Sequence, residues 1–385
     1  MLAPIRDYLR PQDPQSSPLL CATRDRYFNR LSIYIDPGMA GFEEGRWIVS
    51  EDVNIEHLLD VFTSIDPDGG DSWHASFYFM RHLYWHKSRQ TTLGSKIEAL
   101  PDDHDFKPRC LFELEQLFGK AGNFAEQKRL LTHTLELERR RGDDPRIAQT
   151  LQYLSGVNRH LCLHKEGIQQ VEEALEIHKR ISHGKGQTRC LDELAWLFFD
   201  DEQLDAAENA ATLAIDLAAE TGQEFIACNL QRLLGGIHQS KGEKEKAVHR
   251  FETALGIAAP FHWHDQLFWI NYSLVQIFVA EKEFDKANTY IEKAKSHAVA
   301  DEYLLGRATE MQAGVWYLQS RLEDAKSEAL HAFEIYEKLG ASGDAEDCRD
   351  LLREIEQAMK NRASGLRGEL LETSRPTFVN LYFLV

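Results

Sequence analysis

The sequence predicts an all-α protein built as a solenoid of about six helical hairpins. Two columns of residues recur along the chain at a spacing of 40. The small-residue column consists of Thr134, Ala174, Ala214, Ala254 and Ala294, and it continues at Ala332 after a slip of two positions. The leucine column consists of Leu114, Leu154, Leu194, Leu234 and Leu274. Internal periods of this size are typical of solenoids, in which each repeat packs against its neighbours.

One repeat, residues 233–258, reads LLGGIHQSKGEKEKAVHRFETALGIA. Ala247, Phe251 and Ala254 are four and three residues apart, so they share one face of a helix. Gly242 separates this helix from the one before it, which makes the segment a helical hairpin. Its small residues predict that neighbouring helices approach each other closely.

The hairpins occupy residues 104–340, between an N-terminal helical region, 1–103, and a capping helix, 341–361. Within the N-terminal region, Ser50 and Asp52 are residue types that suit the start of a helix. The capping helix is expected to cover the last hairpin with its apolar side chains. These are Leu351, Leu352, Ile355 and Met359. Residues 362–385 are predicted to be an irregular tail.

Charge and composition narrow the classes of function. The net charge is −18, from 62 acidic and 44 basic residues. A negative field of this size disfavours nucleic acids and anionic membrane surfaces as partners. No apolar run is long enough to span a bilayer, and the first residues do not form a secretory signal, so we expect a cytoplasmic protein. The six cysteines show no C-x-x-C spacing and are interpreted as reduced packing residues.

The sequence predicts no catalytic residue, cofactor or metal. It contains no phosphate-binding loop, no nucleophile elbow and no H-E-x-x-H helix. Two groups have some resemblance to metal ligands: His160, Cys162 and His164, and then His262 with His264. A zinc site needs three or four converging ligands, and we interpret both groups as packing or surface residues. Acidic pairs such as Asp200 with Asp201 are interpreted as turns or caps.

The repeat resembles the tetratricopeptide repeat most closely in Leu234-Gly235, Ala247, Phe251 and Ala254. The spacing of 40 exceeds the length of the basic motif, about 34 residues, which predicts longer second helices or longer links. The resemblance implies a right-handed superhelix whose concave groove is lined by the first helix of each hairpin.

Candidate partner-binding residues are those between the core positions of these first helices. They are Arg159, Arg189, Asp192, Trp196, Asn229, Arg232, Trp269, Tyr272, Gln276, Arg307 and Tyr317. Arginines and aromatic residues are enriched at interface hot spots. Arg189, Arg232 and Arg307 would form a basic strip, and the hypothesis is that an acidic or C-terminal peptide binds it. The alternative is a solvated helix face or a partial core. The Lys/Asn pattern of chaperone-binding clamps is absent, so chaperone tails are not expected as ligands.

A wider resemblance involves several stretches outside the repeat motif. Among them are MLAPIRDYLRPQDP, EDVNIEHLLDVFTSID, LAWLFFDDEQLDAAENAATLAIDLA and WHDQLFWI. They resemble the C-terminal region of fungal NLR-like proteins of the NACHT/NB-ARC type, in which tetratricopeptide repeats follow a nucleotide-binding module. The sequence begins where that module would end, so nucleotide hydrolysis does not carry over.

Three functions therefore stay open for this chain. The first is a non-enzymatic protein-interaction scaffold or sensor whose partner is another protein or a peptide. The second is a fragment that senses a ligand or peptide and regulates an ATPase supplied by another chain. The third is an enzyme with an unrecognised site.

Overall fold

The computed structural model describes residues 22, 24–28, 42–86, 91–298 and 301–363. The chain divides into two compact units, Met1–Asp201 and Glu202–Val385, and each is described by itself. Within the described ranges the regular structure is helical and no strand occurs, as the sequence predicts. No helix among these residues combines the length and the apolar character needed to cross a membrane.

The structure gives the bounds of eight α-helices in unit 1. They are α1 (Phe42–Ile65), α2 (Gly70–His86), α3 (Gly94–Ala99), α4 (Lys107–Lys120), α5 (Phe124–Arg141), α6 (Asp144–His160), α7 (His164–Arg180) and α8 (Gly184–Asp200). Consecutive helices from α4 onwards pack against each other, and the first helices α6 and α8 are also neighbours. This is the arrangement of stacked helical hairpins.

Unit 2 continues the same pattern. Its described helices are α9 (Leu204–Thr221), α10 (Glu224–Ser240), α11 (Lys244–Ala258), α12 (His264–Ala280), α13 (Phe284–His297), α14 (Glu302–Leu318), α15 (Leu322–Leu339) and α16 (Ser342–Ala363). A short 3₁₀ turn, Ala259–Phe261, follows α11. The first helices α10, α12 and α14 lie next to one another in sequence order.

The predicted period is visible in the backbone of the turns. A residue with a left-handed conformation, φ between 57° and 73°, recurs at regular intervals in the turns that separate helices. These residues are Gly122, Cys162, Glu202, Gly242, Lys282 and Ser320. The spacing is 40 at each step except the last, where it is 38, so the two-residue slip seen in the sequence lies between α13 and α15. Glycine adopts this conformation at the lowest cost, yet four of the six turns use another residue.

The small-residue columns lie in the core. Ala247, Ala254, Ala287 and Ala294 of unit 2 are fully buried. Gly235 faces the ring of Phe251, and a Cβ placed on Gly235 would lie 2.6 Å from that ring. The Leu-Gly pair therefore exists because the phenylalanine of the second helix occupies the space that a side chain would need.

Replacing Gly235 by alanine is expected to lower the free energy of unfolding by about 1–3 kcal/mol, because the buried Phe251 ring must move. Gly256 is the matched control, since it is an exposed helical glycine in the same hairpin with no atom within 4 Å of its added Cβ. Gly256→Ala is expected to stabilise by up to about 1 kcal/mol through helix propensity. Urea denaturation of both variants measures the difference, and equal midpoints would show that the predicted register is wrong.

The start of α1 differs from the sequence expectation. Ser50 and Asp52 were suited to a helix start by residue type, but both lie inside α1, which begins at Phe42. Asp52 is buried, with 5% of its surface exposed, and its carboxylate accepts a hydrogen bond from the N–H of Val53. Residue types that suit a helix start are weak evidence for one, because tertiary packing can extend the helix past them. The expectation of a helix start at Ser50 or Asp52 was therefore wrong.

The described cysteines match the predicted packing role with one exception. Cys110, Cys190, Cys228 and Cys348 are buried free thiols, which agrees with a packing role. Cys162 is exposed, because it occupies the left-handed turn position between α6 and α7. Cys21 lies outside the described residues.

The last described helix, α16, packs against the last helical pair, α14 and α15. Leu351 and Ile355 are fully buried, while Leu352 and Met359 are partly buried against the same core cluster. A helix is present at this position, with bounds of Ser342–Ala363, and its capping role stays a prediction. The tail from residue 364 onwards lies outside the described residues.

Removing α16 is expected to expose the core that Leu351 and Ile355 cover, and therefore to cause self-association. The measurement is light scattering on a chain truncated after Ala341. A truncation after Ala363 is the control, because it keeps α16, and it is expected to leave the molecular mass and stability unchanged. A soluble, monomeric 1–341 chain would contradict the capping role.

Candidate functional site

The predicted binding residues all lie on the first helices of the hairpins. Arg159 lies on α6; Arg189, Asp192 and Trp196 on α8; Asn229 and Arg232 on α10; Trp269, Tyr272 and Gln276 on α12; Arg307 and Tyr317 on α14. Whether they bind a partner stays a prediction. The structure shows which of them are in contact and how deeply each is buried.

In unit 1, Arg159 and Trp196 form a cluster with Glu193. The Arg159 guanidinium lies 5.6 Å from the centroid of the Trp196 ring, and its Nε donates to Glu193 Oε1 at 3.2 Å. A second contact joins it to Asp200 Oδ2 at 3.4 Å. Burial raises the pKa of Glu193, and the nearby Arg159 opposes that rise. The arginine of this cluster is thus held between two carboxylates and an aromatic face.

Arg189 differs from Arg159 in exposure. It is exposed, and its Nε donates to the carbonyl of Lys185, one turn earlier in α8, at 3.4 Å. Asp192 is half-buried one turn further along the same helix. Arg189 therefore presents its guanidinium towards solvent.

In unit 2, Arg307 is enclosed by partners. Its guanidinium donates to Tyr272 Oη at 3.2 Å and lies 3.5 Å from both Glu310 Oε2 and Asp344 Oδ1. Tyr336 Oη in turn donates to Glu310 Oε2 at 2.9 Å. The Arg307 side chain is 15% exposed, and that of Glu310 is 2% exposed. Arg307 links α12, α14 and α16, so the expectation that it extends a basic strip needs correction.

The two predicted tyrosines are core residues. Tyr272 and Tyr317 are 8% and 9% exposed, and both belong to the hydrophobic core of unit 2. Burial raises the pKa of Tyr272 to about 12, although Arg307 opposes this rise. Burial also raises the pKa of Tyr317. For these positions the alternative interpretation, a partial core, describes the structure better than an open face.

Four residues of unit 2 stay half-buried on neighbouring first helices, and we refer to them as the unit 2 face. They are Asn229, Arg232, Trp269 and Gln276. The Oδ1 atom of Asn229 is buried and accepts no hydrogen bond from the described residues. Trp269 packs edge-on against the rings of Phe268 and Tyr272, at 5.1 and 5.5 Å, which fixes its orientation. The face therefore combines a cation, two amides and a rigid aromatic ring.

Sequence reasoning missed the acidic residues that pair with these arginines. Glu310 follows Arg307 by three residues on one helix, a spacing that places both side chains on the same face, so it could have been found. Asp344 lies on α16, far away in sequence, and only the packing of the cap brings it to Arg307.

The two histidine groups have separate partners. The His160 ring stacks on Phe124, with centroids 4.5 Å apart, while His164 Nδ1 lies 3.4 Å from Asp201 Oδ1. His264 Nδ1 instead lies 3.4 Å from His297 Nδ1. Among the residues that the structure describes, no three His, Cys, Asp or Glu side chains are arranged to hold a metal ion.

Comparison with known proteins identifies the fold but no family. No protein-family profile matches the sequence. No curated protein matches it either. Solved structures do match, but the three described below share only 14% or 15% of their residues with this chain, and at that level a likeness shows the fold alone.

Three similar structures illustrate the likeness. Aspartyl phosphate phosphatase F from Bacillus subtilis is 15% identical, covers 87% of this chain and 94% of its own, and has a TM-score of 0.53. The Rap conjugation gene regulator of plasmid pLS20, in complex with the Phr* peptide, is 14% identical over 89% of this chain and 98% of its own, at a TM-score of 0.50.

The third is a Signal Transduction ATPase with Numerous Domains (STAND) from Pyrococcus horikoshii that has a tetratricopeptide repeat sensor. It is 15% identical with a TM-score of 0.58, and the match covers 92% of this chain but 52% of the ATPase. The present chain thus corresponds in length to about half of that protein. These likenesses, together with the stacked helical pairs, show that the chain has a tetratricopeptide-like helical repeat fold.

Proposed function

We propose that this chain is a non-enzymatic interaction module that binds a protein or peptide segment on the unit 2 face. The observation that carries the proposal is that Asn229, Arg232 and Trp269 lie half-buried on the neighbouring first helices α10 and α12. An amide, a guanidinium and an aromatic ring on adjacent helices suit a peptide, which brings both polar and apolar groups. The fold supports the proposal, because one similar repeat protein is recorded in complex with a peptide.

The chemistry of the face indicates what the ligand carries. Arg232 offers a planar guanidinium that pairs with a carboxylate through two hydrogen bonds. Trp269 offers an amphipathic ring for an apolar side chain. We therefore propose an acidic segment or a free C-terminus with an apolar residue close to its carboxylate. The net charge of −18 slows the approach of such a ligand and makes its association rate depend on salt.

The test is recovery of partners from a lysate of the source cells by the immobilised chain. Arg232→Ala combined with Trp269→Ala is expected to abolish recovery of the proteins that the parent retains, with a melting temperature close to the parent's. The matched control is Arg353→Ala with Phe261→Ala, an exposed arginine and a half-exposed phenylalanine of the same unit. Undiminished recovery by the folded double variant would place the site elsewhere.

The alternative is a sensor that regulates an ATPase supplied by another chain. Two observations favour it: the resemblance of several stretches to fungal NLR-like proteins, and the likeness to a STAND ATPase with a tetratricopeptide repeat sensor. A thermal-shift screen identifies the ligand, because a bound ligand stabilises in proportion to the logarithm of its concentration, and the ATPase rate of the partner then separates the two functions. A scaffold responds to peptides, whereas a sensor of this class also changes the ATPase rate of its partner.

We also propose a cytoplasmic location and no role in nucleic-acid binding. Both rest on the composition, above all on 62 acidic against 44 basic residues. The likeness to a phosphatase does not carry an enzymatic proposal, because at 15% identity it concerns the fold alone.

A further inference from the structure

A second polar site lies in unit 1, away from the predicted binding residues. A cavity of about 380 Å³ opens between the start of α4, the end of α5 and the start of α6. Three arginines line it: Arg109, Arg141 and Arg146. Phe106 and Pro108 form an apolar wall beside them. The volume falls within the range of small-molecule sites.

The three arginines differ in the hydrogen bonds and ion pairs that they form with the protein. Arg141 donates to the carbonyl oxygens of His104 and Asp105, at 2.7 and 3.2 Å, which fixes its guanidinium at the rim. Arg109 and Arg146 have no ion pair within 4.0 Å among the described residues. Their donors are available to a ligand.

Glu138 forms part of the cavity wall and sets its charge. It is 3% exposed, and Thr150 Oγ1 donates to its Oε2 at 2.6 Å. Burial raises the pKa of Glu138 to about 7, against the opposing effects of Thr150 and Arg146. The charged groups around it are Arg141 on α5, Arg146 on α6, Asp143 in the turn between them, and Arg109 and Asp105 at the start of α4.

The balance of these charges favours an anion. Three arginines against Asp105 and Asp143 leave one positive charge when Glu138 holds a proton, and none when it is ionised. The Asp143 carboxylate already accepts a hydrogen bond from the backbone N–H of Arg146, at 3.3 Å, and so caps the start of α6. An entering anion therefore meets two arginines and a carboxyl group that becomes neutral by taking up a proton.

We propose that this cavity binds a small phosphorylated molecule, with its phosphoryl group at Arg109 and Arg146 and its apolar part against Phe106 and Pro108. Guanidinium groups match the geometry of phosphoryl oxygens, and paired arginines bind them more strongly than they bind a single carboxylate. The cavity is larger than inorganic phosphate needs, which is why an organic group is part of the proposal. Binding is coupled to protonation of Glu138.

Isothermal titration calorimetry at constant ionic strength tests the site with three probes: phenyl phosphate, inorganic phosphate and benzoate. Phenyl phosphate is expected to bind at least about tenfold more tightly than either of the others, a difference of about 1.4 kcal/mol. Arg109→Ala with Arg146→Ala is expected to abolish its binding. The control, Arg129→Ala with Arg139→Ala, removes two exposed arginines of the same unit that form ion pairs, and is expected to bind normally.

A second measurement tests whether Glu138 takes up a proton when the ligand binds. Titrations near pH 7 in two buffers of different ionisation enthalpy give the number of protons taken up on binding. The parent is expected to take up more protons than Glu138→Gln, whose amide is already neutral and keeps an acceptor for Thr150. Absence of saturable phenyl phosphate binding, or equal binding by the folded Arg109/Arg146 double variant, would overturn the site. Equal proton uptake by the parent and Glu138→Gln would overturn the coupling.

Discussion

Replacing Arg307 by alanine is expected to lower the free energy of unfolding by about 3–5 kcal/mol, the cost of removing one partner from a buried ion pair. The guanidinium faces Glu310, whose side chain is 2% exposed, and reaches Asp344 on the capping helix. Its loss leaves the buried Glu310 carboxylate without the cation that faces it. Urea denaturation measures the change, and the expected midpoint is far below that of the parent.

Two further variants define the cause. Arg353→Ala is the control, because Arg353 is 67% exposed and such surface pairs contribute about 0–1 kcal/mol. Arg307→Ala combined with Glu310→Gln removes the buried charge as well as its cation, and is expected to recover a large part of the lost stability. A loss below about 1 kcal/mol for Arg307→Ala would show that this network does not hold the cap.

The second large effect concerns pH and the buried carboxyl groups of the first hairpin. Burial raises the pKa of Glu115 to about 8 from 4.5, and Glu113 on the same helix has a pKa of about 7 for the same reason. Because the folded state holds these protons more tightly than the unfolded state, their contribution to stability is complete below pH 4.5 and is lost as the pH rises through 7 to 8. These two groups are therefore expected to lower the free energy of unfolding progressively from about pH 4.5 to about pH 8, with little further change above that.

Glu115→Gln isolates this contribution. The variant keeps an oxygen that accepts from Gln127, which donates to Glu115 at 2.6 Å, but it has no proton to lose. It is expected to exceed the parent in stability by a margin that widens with rising pH, at up to about 1.4 kcal/mol per pH unit. The exposed Glu136 supplies the control, and Glu136→Gln is expected to follow the parent at every pH. A margin independent of pH would contradict a neutral, buried Glu115.

The buried His178 lowers the stability of the protein at acidic pH. It does so equally in the parent and in Glu115→Gln, so it does not affect the difference between them. Burial lowers the pKa of His178 to about 4 from 6.5, and His183 Nδ1 lies 3.2 Å from its Nδ1. Here the unfolded state binds the proton more tightly, so stability falls as the pH drops below 6.5. Parent and Glu115→Gln share this loss, and the difference between them reports the carboxyl group alone.

The repeat register could be predicted from the sequence because packing enforces it directly. A residue such as Gly235 must be small where Phe251 occupies its space, and the turn at Gly242 must tolerate a left-handed backbone. These constraints act within one hairpin and recur from each repeat to the next. They therefore leave a pattern that a single sequence displays.

The state of the individual site residues could not be predicted in the same way. Arg189 and Arg307 hold equivalent positions on first helices, yet one is exposed and the other is enclosed. The difference comes from Asp344, which the cap brings to Arg307 from another part of the chain. Burial depth at the face depends on which side chains the neighbouring helices contribute, and that information is not periodic.

The most direct test of the central claim, that the unit 2 face binds peptides, is the affinity of the chain for peptides selected from a random library with free C-termini. The selected peptides are expected to carry an acidic residue or a terminal carboxylate beside an apolar side chain. By fluorescence anisotropy, Arg232→Ala with Trp269→Ala is expected to weaken their binding by more than about tenfold, or about 1.4 kcal/mol. The Arg353→Ala/Phe261→Ala control is expected to bind as the parent does. Selected peptides that bind the folded Arg232/Trp269 double variant with unchanged affinity would contradict the account.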